Sequence, residues 1–315
     1  LALREDGTVW SWGYNASGQL GRPTPPLFAG FTPGQVPGLT GGVALAAGDA
    51  HSLALREDGT VWSWGSNGTG QLGRPTPTSA DSTPAQVPGL TGVVALSASG
   101  THSLALREDG TVWSWGHNGY GQLGRPTPTS FDPTPKQVPG LTGVVALSSD
   151  SDHVLALRED GTVWAWGANW NGQLGVDSPM QRYTPAPVPG LTDVVSLTNT
   201  SYGTSLVVRR DGTVWGFGLN VMGLIANTAQ EVYTTPVQRP GLTGVKALSV
   251  GMEYALALRE DGTVMAWGSN SHDQIGDGVS SIHTTAVQAQ LPCRFTGMPS
   301  RDHRASEAKH CPATP

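Results

Sequence analysis

The sequence predicts an all-β protein, a β-propeller of four-stranded blades, and three observations carry the prediction. First, a thirteen-letter string, LALREDGTVWSWG, stands at 1–13 and returns at 53–65 and 104–116, with close variants at 155–167, 206–218 and 256–268. Second, the Asp-Gly pairs of these six copies begin at Asp6, Asp58, Asp109, Asp160, Asp211 and Asp261, a step of 50 to 52 residues. A period of that size belongs to a repeat array or a propeller. Third, each step holds about four short β-type runs and no helical stretch, as a propeller blade does; a solenoid of flat strands would repeat sooner.

The second unit shows how each element is read. LALRE (53–57) alternates Leu53 and Leu55 with small or polar neighbours, and Asp58-Gly59 leads to TVWSWG (60–65). An Asp-Gly pair between two β-type runs predicts a two-residue type I′ hairpin, with both central residues at positive φ. In the second strand Trp62 and Trp64 share one face, and Val61 and Ser63 the other. A glycine-rich turn follows, containing Asn67, Gly70, Gln71 and Gly73, then a polar loop, a short strand AQVPGL and a strand VVALSA. Ten of the eleven tryptophans occupy the two repeat positions, and the eleventh is Trp170. Paired tryptophans are expected to fill the space between neighbouring blades, each indole N–H needing an acceptor.

An Asn stands two residues after the closing Gly in all six units, Trp-Gly in five and Phe-Gly in the fifth: Asn15, Asn67, Asn118, Asn169, Asn220 and Asn270. It is expected to shape the turn, either by tolerating the left-handed region or by capping through its side chain. A His precedes three of the strands, at His51, His102 and His153, where Thr204 and Tyr254 stand in later units. Each His is expected to enter its strand and hydrogen-bond a neighbouring loop, because metal-ligand spacings are absent.

Composition narrows the function. The chain has 315 residues, a net charge of −6 and only three lysines, Lys136, Lys246 and Lys309. A phosphate-gripping basic face is missing, so nucleic acid is not expected as a partner. No apolar run approaches the roughly 18 residues of a membrane helix. The chain begins inside a repeat without an initiator Met, and is read as an excerpt of a longer product. Residues 1–292 carry the repeats, whereas 293–315 show neither repeat nor alternation and read as a disordered tail.

The linked motifs D-G-T-V-W-x-W-G, N-x-x-G-Q-L-G, V-P-G-L, V-V-A-L-S and H-S-L-A-L resemble the repeat of the regulator of chromosome condensation family, over residues 1 to about 292. The resemblance implies a propeller, usually of seven four-stranded blades. Six units are visible here. Residues 1–5 complete the last blade, or a seventh blade lies beyond the ends of the chain; the second is favoured.

No catalytic constellation stands out, and the protein is expected not to be an enzyme and to need no cofactor. There is no G-x-x-x-x-G-K-S/T phosphate loop and no G-x-S-x-G elbow. Asp150, Ser151 and Asp152 offer too few oxygens for calcium and read as a solvated turn. Cys293, His303, His310 and Cys311 match no zinc spacing and are discounted.

The framework repeats almost letter for letter, while residues beside the fixed Asn do not. Tyr14, His117, Tyr120, Trp170, Met222 and His272 fall there, on turns that a propeller would bring to one face. Aromatic and Met side chains are the types that anchor protein interfaces. The expectation is a non-catalytic, monomeric scaffold that presents these residues to a protein partner. A guanine-nucleotide exchange factor, a secreted inhibitor of the β-lactamase-inhibitor type, or a hydrolase or lyase on a propeller are the alternatives. Arg-rich, Lys-poor usage suggests a bacterial source, and the bacterial surface or exterior as the address.

Overall fold

In a computed structural model, which describes residues 1–23 and 29–290, the described residues are all-β apart from one 3₁₀ turn at Val221–Gly223. No helix among the described residues is long and apolar enough to cross a membrane. The expected tail at 293–315 and the Cys293, His303, His310, Cys311 set lie outside the described residues.

Among the described residues, twenty-three strands form six antiparallel sheets of the propeller-blade kind. The first has three strands, β1 (Ala2–Leu3), β2 (Val9–Tyr14) and β3 (Ala29–Gln35). The second has β4 (Gly42–Ala47), β5 (His51–Arg56), β6 (Val61–Ser66) and β7 (Ala80–Gln86), hydrogen-bonded in that order. The third repeats the pattern with β8 (Val93–Ser99), β9 (His102–Arg107), β10 (Val112–His117) and β11 (Phe131–Gln137). The fourth has β12 (Val144–Ser149), β13 (His153–Arg158), β14 (Val163–Ala168) and β15 (Gln181–Pro187). The fifth has β16 (Val194–Thr200), β17 (Thr204–Arg209), β18 (Val214–Leu219) and β19 (Val232–Gln238). The sixth has β20 (Val245–Val250), β21 (Tyr254–Arg259), β22 (Val264–Gly268) and β23 (His283–Gln288).

The chain divides into two compact units. Of the described residues, one comprises 1–23, 29–159, 166–168 and 181–186, and the other 160–165, 169–180 and 187–290. With each unit counted from its LALRE run, every four-stranded sheet is staggered against the sequence repeat: its first strand comes from the end of one unit of sequence and its other three from the next. Ala2–Leu3 pairs with β2 in the first sheet, and the sixth sheet draws four strands of its own. Residues 1–5 therefore do not complete the last blade.

The Asp-Gly hairpin differs from the expected type I′ turn. Only Gly59 has a positive φ, at 74°, and Asp58 does not. The Gly59 N–H donates to the Arg56 carbonyl at 2.9 Å, and the Arg56 N–H to the Thr60 carbonyl at 3.0 Å. This is a longer turn closed by a single left-handed glycine. Asp58 explains the choice. Its Oδ1 accepts the Thr60 N–H at 3.0 Å and the Thr60 hydroxyl at 2.6 Å, a local pairing that rewards an ordinary backbone at the Asp.

The two tryptophans share a face, as expected, but do different work. Trp64 is fully buried with Val9, Val36 and Leu39 of the preceding sheet. Trp62 is only half-buried, with the Arg56 guanidinium 5.6 Å from its ring centroid. The other face of the second sheet packs Leu53, Leu55 and Val61 on Ala105 and Trp115 of the third.

The G-Q-L-G turn joins one sheet to the next. Gln71 lends its backbone carbonyl to the Trp115 indole N–H at 2.8 Å and to the Ser103 hydroxyl at 2.9 Å, both from the following sheet. Gly73, at φ 68°, has to be glycine because a Cβ would fall 2.8 Å from the Trp115 indole nitrogen. Gly70 faces Pro133 of the next outer strand as closely, a Cβ there falling 2.4 Å from the proline ring. The same contact recurs as Trp64 to Gln19, Trp166 to Gln122 and Trp267 to Leu224, at 2.9, 2.9 and 3.0 Å. Phe217 takes the position in the fifth sheet, with apolar packing against Gly175 in place of the hydrogen bond. Outer strands end the sheets with Pro33, Pro84, Pro135, Pro185 and Pro236, and β23 has Ala286 there. Proline on an edge strand withholds a donor from stray pairing.

Two substitutions measure the clamp. Trp115→Ala is expected to cost about 3–5 kcal/mol by emptying a fully buried site, and Trp115→Phe about 1 kcal/mol more than its area change, for the lost hydrogen bond. Gly73→Ala should also destabilise. Urea unfolding midpoints check this, and an unshifted midpoint for Trp115→Ala would remove the clamp from the account.

Candidate functional site

Strands β5, β9, β13, β17 and β21 begin, and their hairpin partners β6, β10, β14, β18 and β22 end, at the same end of their sheets. This loop end carries every variable residue singled out above, and the Asp-Gly turns occupy the opposite end. The fixed Asn sets the loop geometry by capping, not by left-handed backbone. Asn67 Oδ1 accepts the Leu72 N–H at 3.0 Å, while its amide donates to the Arg74 carbonyl at 3.2 Å and to the Thr76 hydroxyl at 2.8 Å. Asn118, Asn169, Asn220 and Asn270 accept from the equivalent N–H groups. With its backbone thus pinned, the loop is free to vary in the residues beside the Asn.

In the first unit, Tyr14 is 66% exposed. His117 and Tyr120 meet edge to face with ring centroids 5.9 Å apart. The His117 Nδ1 lies 2.8 Å from the Gln122 amide, and burial lowers its pKa against a smaller opposing pull from Asp152. In the second unit, Trp170 is 44% exposed, and Met222 and His272 are also exposed. Met222 sits in the left-handed region at φ 50°, inside the 3₁₀ turn. The sequence did not single out Phe131 and Tyr183 of the first unit, or Met180, Tyr202, Met252 and Ile282 of the second, which are exposed at the same end. They lie in strand starts and in loops whose letters do not recur, so periodicity gave no signal for them.

Beneath the first unit's loops lie the three histidines, all buried. Only His153 makes the expected loop contact, and His51 and His102 do not. His51 Nε2 lies 2.9 Å from the Ser103 hydroxyl, on a strand of the next sheet. His153 Nδ1 lies 2.8 Å from Asp150 Oδ2. His102 has no hydrogen-bond partner on either ring nitrogen, because Val154 stands where Ser103 serves His51. Asp150 is also buried, its Oδ1 accepting the N–H groups of Asp152 at 2.8 Å and His153 at 2.7 Å, so the expected solvated turn is a packed acidic one. Asp152 has its pKa raised by burial first and by Asp150 second.

Among the described residues no group of three or more His, Cys, Asp or Glu is placed to hold a metal. A groove of about 450 Å³ runs between the second-sheet loop and the third sheet's outer strand, past Pro75, Pro88, Phe131 and Pro133. Its one charged group, Arg74, is already bonded to Asp81 at 2.8 Å.

The histidines make stability depend on pH. Burial, then the nearby His102, pushes His51 down to about 3. Burial likewise pushes His102 down to about 4, with Asp150 opposing and His117 and His153 assisting. From the ordinary 6.5 downward, the unfolded chain takes up protons that the folded chain refuses. Stability is therefore full above pH 6.5 and falls as pH drops toward 4. His102→Leu should be nearly neutral at high pH, since it removes an unpaired polar group, and should flatten the acid-side fall. Melting temperatures on either side of pH 6.5 check this; an unchanged fall in the variant would contradict it.

Comparison with known proteins gives these features a family. The family model for the RCC1-like domain matches residues 1–308. A human protein, probable E3 ubiquitin-protein ligase HERC6, is 36% identical over 228 residues, which cover 69% of this chain and 22% of that protein. The RCC1 domain-containing protein RUG3, mitochondrial, of Arabidopsis thaliana is 32% identical over 287 residues, 81% of this chain and 62% of that protein. The chain thus spans less than two thirds of the length of these relatives. Among solved structures, human WBSCR16 superposes with a TM-score of 0.81 at 25% identity, covering 92% of this chain and 79% of that one. Prp20p from Saccharomyces cerevisiae does so with 0.73 at 25%, covering 94% and 76%. These relatives are eukaryotic and lend no support to the expected bacterial source. The chain belongs to the RCC1-like domain family.

Proposed function

We propose that this chain is a non-catalytic protein-interaction scaffold that binds through the loop ends of its sheets. The supporting observation is the contrast between framework and loops. Hydrogen-bonded Asn caps and indole clamps recur from sheet to sheet, whereas the residues the loops expose are unlike one another and rich in aromatics and Met. Large apolar groups held outward on a rigid frame suit protein recognition. Relatives fit this reading: the Prp20p structure is described with binding properties toward Gsp1p and histones, and HERC6 carries its family domain within a much longer chain.

Exchange of guanine nucleotide on a small GTPase is the second reading, favoured by the likeness to Prp20p. Stimulated nucleotide release from a GTPase by the purified chain would establish it over the passive scaffold.

The scaffold reading is tested by comparing two variants of the whole chain. Tyr14→Ser with Trp170→Ser alters the loop ends, and Glu57→Gln with Glu108→Gln alters the opposite end. Proteins retained from a cell extract are quantified by mass spectrometry. The loop-end variant should retain specific partners about tenfold less, a loss of about 1.4 kcal/mol, while the other retains them fully. Equal retention by both would overturn the reading.

A further inference from the structure

The second unit separates its charges. Its described basic side chains are Arg209, Arg210, Arg239, Lys246 and Arg259. Four of these lie at the Asp-Gly-turn end of β17, β20 and β21. The fifth, Arg239, is buried, donating to the carbonyls of Gly223, Leu224 and Thr284 at 2.7, 3.0 and 2.7 Å over the Trp267 ring. The loop end of this unit (169–180, 200–204, 219–232, 250–254 and 268–283) contains no Arg or Lys. It carries Asp177, Glu231, Glu253 and Asp273, and Asp277, whose Oδ2 lies 2.8 Å from His283 Nε2.

The same end exposes Trp170, Met180, Tyr202, Met222, Met252 and Ile282, with Met180 and Met252 more than half exposed. Packing brings these loops together. A Cβ on Gly203 would touch Gln173 at 3.1 Å and Asn171 at 3.4 Å, so the Tyr202 loop abuts the Trp170 loop. Val221 and Val250, near Met222 and Met252, both pack against the apolar cluster that the fifth and sixth sheets share.

We propose that this loop end is a docking surface for a basic amphipathic segment of a partner protein. Its apolar side chains would cover the Met and aromatic groups, and its lysines or arginines would meet Glu231, Glu253, Asp177 and Asp273. Charge complementarity selects this occupant: an acidic segment would meet only repulsion, and a purely apolar one would strand the carboxylates. Methionines suit such a surface because their side chains adapt to varied apolar partners. The proposal rests on the scaffold reading and names its partner class.

The test uses the whole chain and three labelled probes: a Leu/Lys amphipathic peptide, a Leu/Glu peptide with the same apolar positions, and oligolysine. Fluorescence anisotropy should show the Leu/Lys peptide binding and weakening as salt rises. Tyr202→Ser with Met252→Ser, and separately Glu231→Gln with Glu253→Gln, should each weaken binding about tenfold or more. Melting temperatures close to the parent's confirm that both variants fold. Binding of the Leu/Glu peptide or of oligolysine as tight as the Leu/Lys peptide would overturn the proposal, as would indifference to both variants. Self-association that Tyr202→Ser with Met252→Ser abolishes, without peptide binding, would also overturn it and assign the face to a second copy. If the peptide fails while the Tyr14 and Trp170 variant still loses its partners, the scaffold stands and only the partner class falls.

Discussion

One carbonyl oxygen organises the joint between successive sheets. The Gln71 carbonyl takes an indole N–H and a hydroxyl from the following sheet, and the neighbouring Gly73 leaves room for the indole to arrive. A four-stranded sheet cannot bury both apolar faces by itself. The clamp fixes the distance and orientation at which the next sheet covers the exposed face, and it converts a non-directional apolar contact into a directional one. The fixed Asn belongs to the same device, because by capping the turn it holds the Gln carbonyl in place.

This joint frees the loops from structural duty. Positions outside the cap and clamp tolerate Tyr, Trp, Met or His at little cost to packing, so side-chain variety accumulates at the loop end of each sheet while its Asp-Gly end stays uniform. The Asp-Gly turns are governed by local chemistry of their own, each Asp accepting from the N–H and hydroxyl of the Thr two residues on. Hydrogen bonds from that Thr hold the Asp carboxyls below their ordinary range, so the turns remain ionised.

Much of the architecture was legible in the letters. The period, the strand count, the shared face of Trp62 and Trp64, and the turn-shaping role of Asn67 follow from local rules that repetition reinforces, though whether Asn67 acts by backbone or by capping does not. Other features needed coordinates, because rival local pairings or what another sheet supplies decide them. The turn at Asp58 departs from type I′ because a following Thr competes for the carboxylate. His102 lacks the partner that His51 has because Val154 replaces a serine on the adjacent sheet, and Asp150 is buried by a neighbouring histidine. Of the loop-end residues, those beside the fixed Asn were legible by contrast with it. Met180, Tyr202 and Met252 were not, since no repeated letter marks their place.

The stagger between repeat and sheet has a consequence for how such genes change length. Every four-stranded sheet is sewn from two consecutive units, so no single unit of sequence corresponds to one removable slice of protein. Yet because the stagger is constant, excising one period beginning anywhere rejoins a Trp to an equivalent glycine turn. Recombination between near-identical stretches can therefore add or subtract whole sheets without inventing a new junction, whatever the point of crossover.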